Sequence, residues 1–141
     1  MNPYRRYQQQ SEPDTGWTRI DLLLALYDKA LERLDRAEAA LRAGDTSGAV
    51  TLLLKTQELV MALAQGVRVE VNPEVNTNIL RLYEFAMHEL ARANVKAIAN
   101  VRKVLRTLRE GFEAIRAEAN AMERDGRLAP MDRSPMVAAT A

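Results

Sequence analysis

The chain has no cysteine and a single histidine. Disulfides, thiolate nucleophiles and thiolate metal sites are excluded, as is any metal centre needing two histidines, so a core must hold by packing alone. A cysteine-free chain fits the cytosol but does not establish it. Aromatics are scarce, with one Trp, two Phe and four Tyr in 141 residues. The 6 Gly and 5 Pro fall mainly between periodic segments, which favours an all-α domain. Long apolar runs are also missing. Leu22-Leu23-Leu24-Ala25-Leu26 is far short of the roughly 20 residues a spanning helix needs, so no membrane insertion is expected. Arg5-Arg6 is followed by the polar Gln8-Gln9-Gln10, so no targeting segment is read. Charge of one sign is lacking too: 20 basic residues face 19 acidic ones, and a net +1 argues against a general nucleic-acid binder.

What is present is an internal echo. Leu26-Tyr27-Asp28-x-Ala30-x-x-x-Leu34-x-Arg36-Ala37 returns 56 residues later as Leu82-Tyr83-Glu84-x-Ala86-x-x-x-Leu90-x-Arg92-Ala93. Both copies carry apolar residues at helical spacing, so each is an amphipathic helix presenting the same face. One periodic segment lies between the copies and one after. The spacing predicts helices over 18–43, 46–65, 73–93 and about 95–123, arranged as an antiparallel up-down-up-down four-helix bundle. Gly44 is a natural left-handed stop, Asp45, Thr46 or Ser47 can cap the second helix, and Asn72-Pro73-Glu74 is a strong helix start. Residues 17–125 form the bundle domain, preceded by a polar, mobile arm over 1–16 and followed by a tail over 126–141 expected to be disordered.

In the last helix Ile98, Val101, Leu105, Leu108, Phe112, Ile115, Ala119 and Met122 step three and four alternately, a seam for bundle packing. The second and third helices carry more than one stripe. Beside Val50, Leu53, Val60, Ala64 and Val67 runs a second set, Leu52, Leu59 and Leu63; beside Val75, Ile79, Leu82, Ala86 and Leu90 stand Leu80, Tyr83 and Met87. A surplus stripe means either a wider core or an apolar groove for a partner helix, and the pattern leaves both open. Charges place the outer helices. Arg92, Lys96, Arg102, Lys103, Arg106 and Arg109 form a run without acids, while Asp28, Glu32, Asp35 and Glu38 recur at helical spacing on the first helix. The bundle sets these stretches side by side, so the basic run reads as half of a surface ion-pair ladder rather than a nucleic-acid site.

Catalysis has little support. No Gly-rich phosphate loop or paired-carboxylate–histidine motif occurs, so no cofactor is expected and the chain reads as no enzyme. Arg81 and His88 match the loose Arg-x(4–6)-His spacing of HEPN-type ribonucleases, but Leu82 stands where that family has a polar residue, and chance placement on one helix face explains the pair equally well.

Taken together, Tyr4-x-x-Tyr7-Gln8-Gln9, Leu26-Tyr27-Asp28, Asn78-Ile79-x-x-Leu82-Tyr83-Glu84-Phe85, Leu90-x-x-Ala93-Asn94 and Leu108-Arg109-Glu110-Gly111-Phe112 resemble the FliS family of flagellin-specific export chaperones, in order and spacing over residues 4–115. Gly16-Trp17-Thr18 replaces that family's Ser-Pro, Lys96-Ala97 stands where a capping acid is expected, and Phe112 occupies a common Trp position. The resemblance implies a cytoplasmic bundle that binds the C-terminal segment of unpolymerised flagellin, prevents premature assembly and delivers it to a flagellar export gate component of the type III apparatus. On this reading Leu52, Leu59, Leu63, Leu80, Tyr83 and Met87 line the partner groove, and Tyr4 or Tyr7 of the arm caps it when cargo is absent. The alternative is a self-associating bundle that uses the second stripes as a homodimer face.

Overall fold

The computed structural model describes residues 19–126, and the described chain is all-helical. Five helices follow one another: α1 Arg19–Arg42, α2 Thr46–Gln65, α3 Pro73–Arg92, α4 Val95–Ala114 and α5 Arg116–Arg124. The arm over 1–16 and nearly all of the tail over 126–141 lie outside the described residues, and Tyr4 and Tyr7 with them.

Local chemistry sets the ends of the helices. Gly44 closes α1 in the left-handed region at φ 81°. Asp45 then caps α2, its carboxylate accepting from Gly48 N–H at 2.9 Å. Asn72 caps α3 by accepting from Val75 N–H at 3.4 Å, with Pro73 in the first turn. The tightest junction is α3 to α4. Ala93 turns left-handed at φ 52°, and Asn94 supplies the cap, its Oδ1 accepting from Ala97 N–H at 2.7 Å. Asn94 thus does the work of the missing acid.

α1 packs against α2 and α4, and α3 packs against the same two. The four long helices close into a ring with α1 and α3 on one diagonal. The repeated tyrosines meet across it: the hydroxyls of Tyr27 and Tyr83 share a hydrogen bond at 2.5 Å, with both rings fully enclosed. Around them lie Leu23, Leu34, Leu53, Val60, Leu90, Ile98, Val101 and Leu105. Tyr27 also stacks obliquely on Phe112, ring centres 5.9 Å apart.

The expected last helix to 123 is interrupted. α4 stops at Ala114, Ile115 N–H bonds back to Phe112 C=O at 3.2 Å, and Ala119 N–H to Ile115 C=O at 2.9 Å restarts the helix as α5. Ile115 is exposed rather than part of the seam. Gly111 weakens the last turn of α4, and ion pairs at both ends of α5 draw it onto the start of α1. These are Arg116 to Asp21 at 2.7 Å and Glu123 to Arg19 at 3.7 Å.

Candidate partner-binding surface

The ring has two kinds of seam, and the echo makes them comparable. Along α1/α4, Arg102 reaches Asp35 at 3.0 Å and Glu38 at 2.7 Å, and Arg109 holds Asp28 at 2.6 Å. Residue numbers rise on α4 as they fall on α1, so these helices run antiparallel. The ladder read from the sequence is present, extended by Arg116 and Asp21. Its pairs polarise one another. Hydrogen bonds from Arg102 and then Arg42 hold the Glu38 carboxyl below its usual range, and the carboxylates raise Arg102 and Arg109 above theirs. Each half-exposed pair contributes only about 0–1 kcal/mol, yet together they cover the seam with charge.

The seam between α2 and α3 is its counterpart, because exchanging the two echo helices exchanges α1/α4 for α3/α2. On α4 the pairing arginines follow inward-facing positions: Arg102 follows the core residue Val101, and Arg109 follows Leu108, which is partly buried against the core. On α2 the residues that follow core positions Leu53 and Val60 are Leu54 and Met61. They are 55% and 50% exposed. Val50, Leu54, Gln57 and Met61 step four, three, four along one ridge. That ridge borders α3, since Gln57 Nε2 donates to Met87 C=O at 3.0 Å. Where α1 carries Asp28 against an arginine, α3 carries exposed Glu84 beside an apolar ridge.

Sequence reasoning placed six residues in the groove, and the structure separates them. Leu59, Leu63 and Tyr83 are core, at most 2% exposed. α2 is flanked by both α1 and α3, so a wide arc of it is covered, and Tyr83 is fixed inward by Tyr27. Their burial corrects the expectation that they stand open in the free chain. Leu52, Leu80 and Met87 are half-buried against the core edge. Leu80 and Met87 come together seven residues apart on α3. Leu52, two residues before Leu54, points about 160° away from it round the helix. Leu54 and Met61 were missed. Their signal was the triple leucine at 52–54, in which periodicity alone does not say which residue is left outside.

Burial raises the phenol of Tyr27 well above its ordinary value and pushes that of Tyr83 up to about 12, so both are neutral hydrogen-bonding groups at physiological pH. Arg81 and His88 are both exposed on α3. Among the described residues no group of three or more acidic or histidine side chains is placed to hold a metal ion. None of the described helices is long and apolar enough to cross a membrane.

The ring thus has one charged seam and one apolar seam. The model of the flagellar protein FliS matches residues 1–119. The chain belongs to the FliS family. That is the family of flagellin export chaperones, and a role as a flagellar chaperone follows. No curated protein and no solved structure matches the chain.

Proposed function

We propose that this FliS-family chain binds the C-terminal segment of unpolymerised flagellin as an amphipathic helix laid along the α2/α3 seam, holds it back from premature assembly, and presents it to a component of the flagellar export gate. The observation that carries the site is the contrast between equivalent seams: arginines paired with acids on one, exposed Leu54 and Met61 on the α2 side of the other, with half-buried Leu80 and Met87 on its α3 side. An apolar ridge of this spacing matches the i, i+3, i+4, i+7 stripe of a docking helix. A segment that orders only on binding loses part of its interaction energy to that ordering, which keeps affinity moderate and suits cargo that must be released. The ring of contacts and the antiparallel α1/α4 ladder support reading the long helices as an up-down-up-down bundle. The family role supports a cytoplasmic place of action, without enzymatic activity.

Titration calorimetry with a flagellin C-terminal peptide tests the site. Leu54→Asp and Met61→Asp should abolish measurable binding while leaving the melting temperature within a few degrees, because both side chains are already half in water. Wild-type affinity in both variants would remove the α2/α3 seam as the binding site. The arm carrying Tyr4 and Tyr7 is proposed to lie over the same seam without cargo. Deleting residues 1–14 should then leave peptide binding as tight or tighter, mainly through faster association. Weaker binding would mean that the arm contributes contacts to the complex.

A further inference from the structure

The apolar seam holds one charge, and the charged seam shows what that charge lacks. On α1 the row Asp21, Asp28 and Asp35 holds an arginine at every step: Arg116, Arg109 and Arg102. The echo carries this row onto α3 as Thr77, Glu84 and Ala91, so a single acid remains. The α2/α3 seam has its own fixed point, Gln57 Nε2 donating to Met87 C=O. Counting from it along the antiparallel pair sets Met61 level with Tyr83 and Glu84, and Leu54 level with Leu90 and Ala91. Met61 thus stands where Arg109 stands against Asp28. Glu84 is exposed, and its carboxylate has no ion-pair or hydrogen-bond partner among the described residues. Arg81 and His88 flank it one turn away along α3 and form no ion pair with it.

We propose that Glu84 is the specificity-determining residue of the α2/α3 seam, and that the helix laid there supplies the missing cation. That helix carries one Lys or Arg at the edge of its apolar stripe, facing Glu84, with apolar residues a turn to either side covering Leu54 and Met61. The proposal rests on the α2/α3 seam being the cargo site. Apolar contacts alone accept any amphipathic helix, in several registers. A docked helix also takes water away from Glu84. A wholly apolar stripe leaves that carboxylate desolvated and unpaired, which disfavours binding, and an acidic one repels it. A cation at the matching position pairs with it. One charge among apolar contacts therefore sets register as well as partner, as a single polar residue does in a coiled coil. Arg suits the position better than Lys, because its guanidinium is weakly hydrated and offers a carboxylate two parallel donors. Thr77 and Ala91, two turns to either side, are uncharged, so one cation satisfies the seam.

Titration calorimetry of the full chain with a flagellin C-terminal peptide, at low and at high salt, tests this. Glu84→Gln keeps the size of the side chain and removes its charge. It should weaken binding by about threefold to tenfold at low salt and flatten the salt dependence, with helix content unchanged by circular dichroism. Replacing each Lys and Arg of the peptide by Gln in turn should find one position whose loss weakens binding to the wild type by a similar factor and leaves binding to Glu84→Gln unchanged. Glu84→Arg should bind the original peptide more weakly still, and recover when that one peptide residue is replaced by Glu. Met61→Asp is the separate control on the seam. Binding lost in Met61→Asp, with Glu84→Gln at wild-type affinity or no peptide position coupled to it, overturns this proposal and leaves the seam standing. Wild-type affinity in Met61→Asp removes the seam, and the proposal with it.

Discussion

Tyr27 and Tyr83 are the residues on which the two halves of the chain meet, and their chemistry gives two tests. Either hydroxyl removed alone leaves the other buried without its partner, which costs about 1–3 kcal/mol. Tyr27→Phe and Tyr83→Phe should each lower stability in a denaturant melt by that order. The double variant should lose less than the two singles summed, because it leaves no orphaned hydroxyl. The pair also fixes the sign of an alkaline effect. Folding raises both phenol pKa values, so their contribution to stability is fully present below about pH 10, where the unfolded chain's tyrosines ionise. It is lost as pH rises through the folded values. Melting temperature should therefore fall above pH 10, and less steeply in the double Phe variant. Leu105, wholly enclosed on α4, is a plain core residue, and Leu105→Ala should cost about 2–5 kcal/mol through the cavity it leaves. The repeated Leu-Tyr-acid string made the two echo helices legible but not the pairing of their tyrosines, and Tyr83 reads as a groove residue because nothing local to α3 shows Tyr27 opposite it. The identity of the exposed leucine in Leu52-Leu53-Leu54 was not legible either, because three adjacent leucines satisfy every phase of a helix.

At the scale of elements, α2 shows why a second stripe is not a groove. Leu59 and Leu63 face inward because α2 is wedged between α1 and α3, and the width of that wedge depends on how closely the neighbours approach, which α2's own sequence does not encode. Leu59→Asp should unfold the chain, whereas Leu54→Asp should not, and a pair of thermal melts distinguishes them. Helix ends were more legible. Gly44 and Asn72-Pro73 act through chemistry written into single residues. Asn94 was overlooked while an acid was sought further on. Asn94→Ala should lower stability by about 1 kcal/mol, the usual effect of losing a cap. The break at Ile115 escaped the periodicity because the apolar steps continue through it. Ion pairs to α1, 95 and 104 positions away in sequence, decide where the helix stops.

At the scale of the molecule, the echo yields a ring with near-equivalent seams, and side-chain chemistry then makes the seams unequal. Acids on α1 and arginines on α4 cover one; Leu54 and Met61 leave the other apolar. The ladder was readable from charge spacing. The apolar seam became visible only when the same register position was compared on two helices. The chain's lack of cysteine permits a direct test, since one introduced thiol is the only one present. The rate at which a maleimide labels Met61→Cys, with and without saturating flagellin C-terminal peptide, should fall severalfold on peptide addition, while labelling of Arg106→Cys beside the α1/α4 ladder should not change. Labelling slowed at position 106 and unchanged at 61, with peptide bound, would place the cargo on the charged seam and contradict the account.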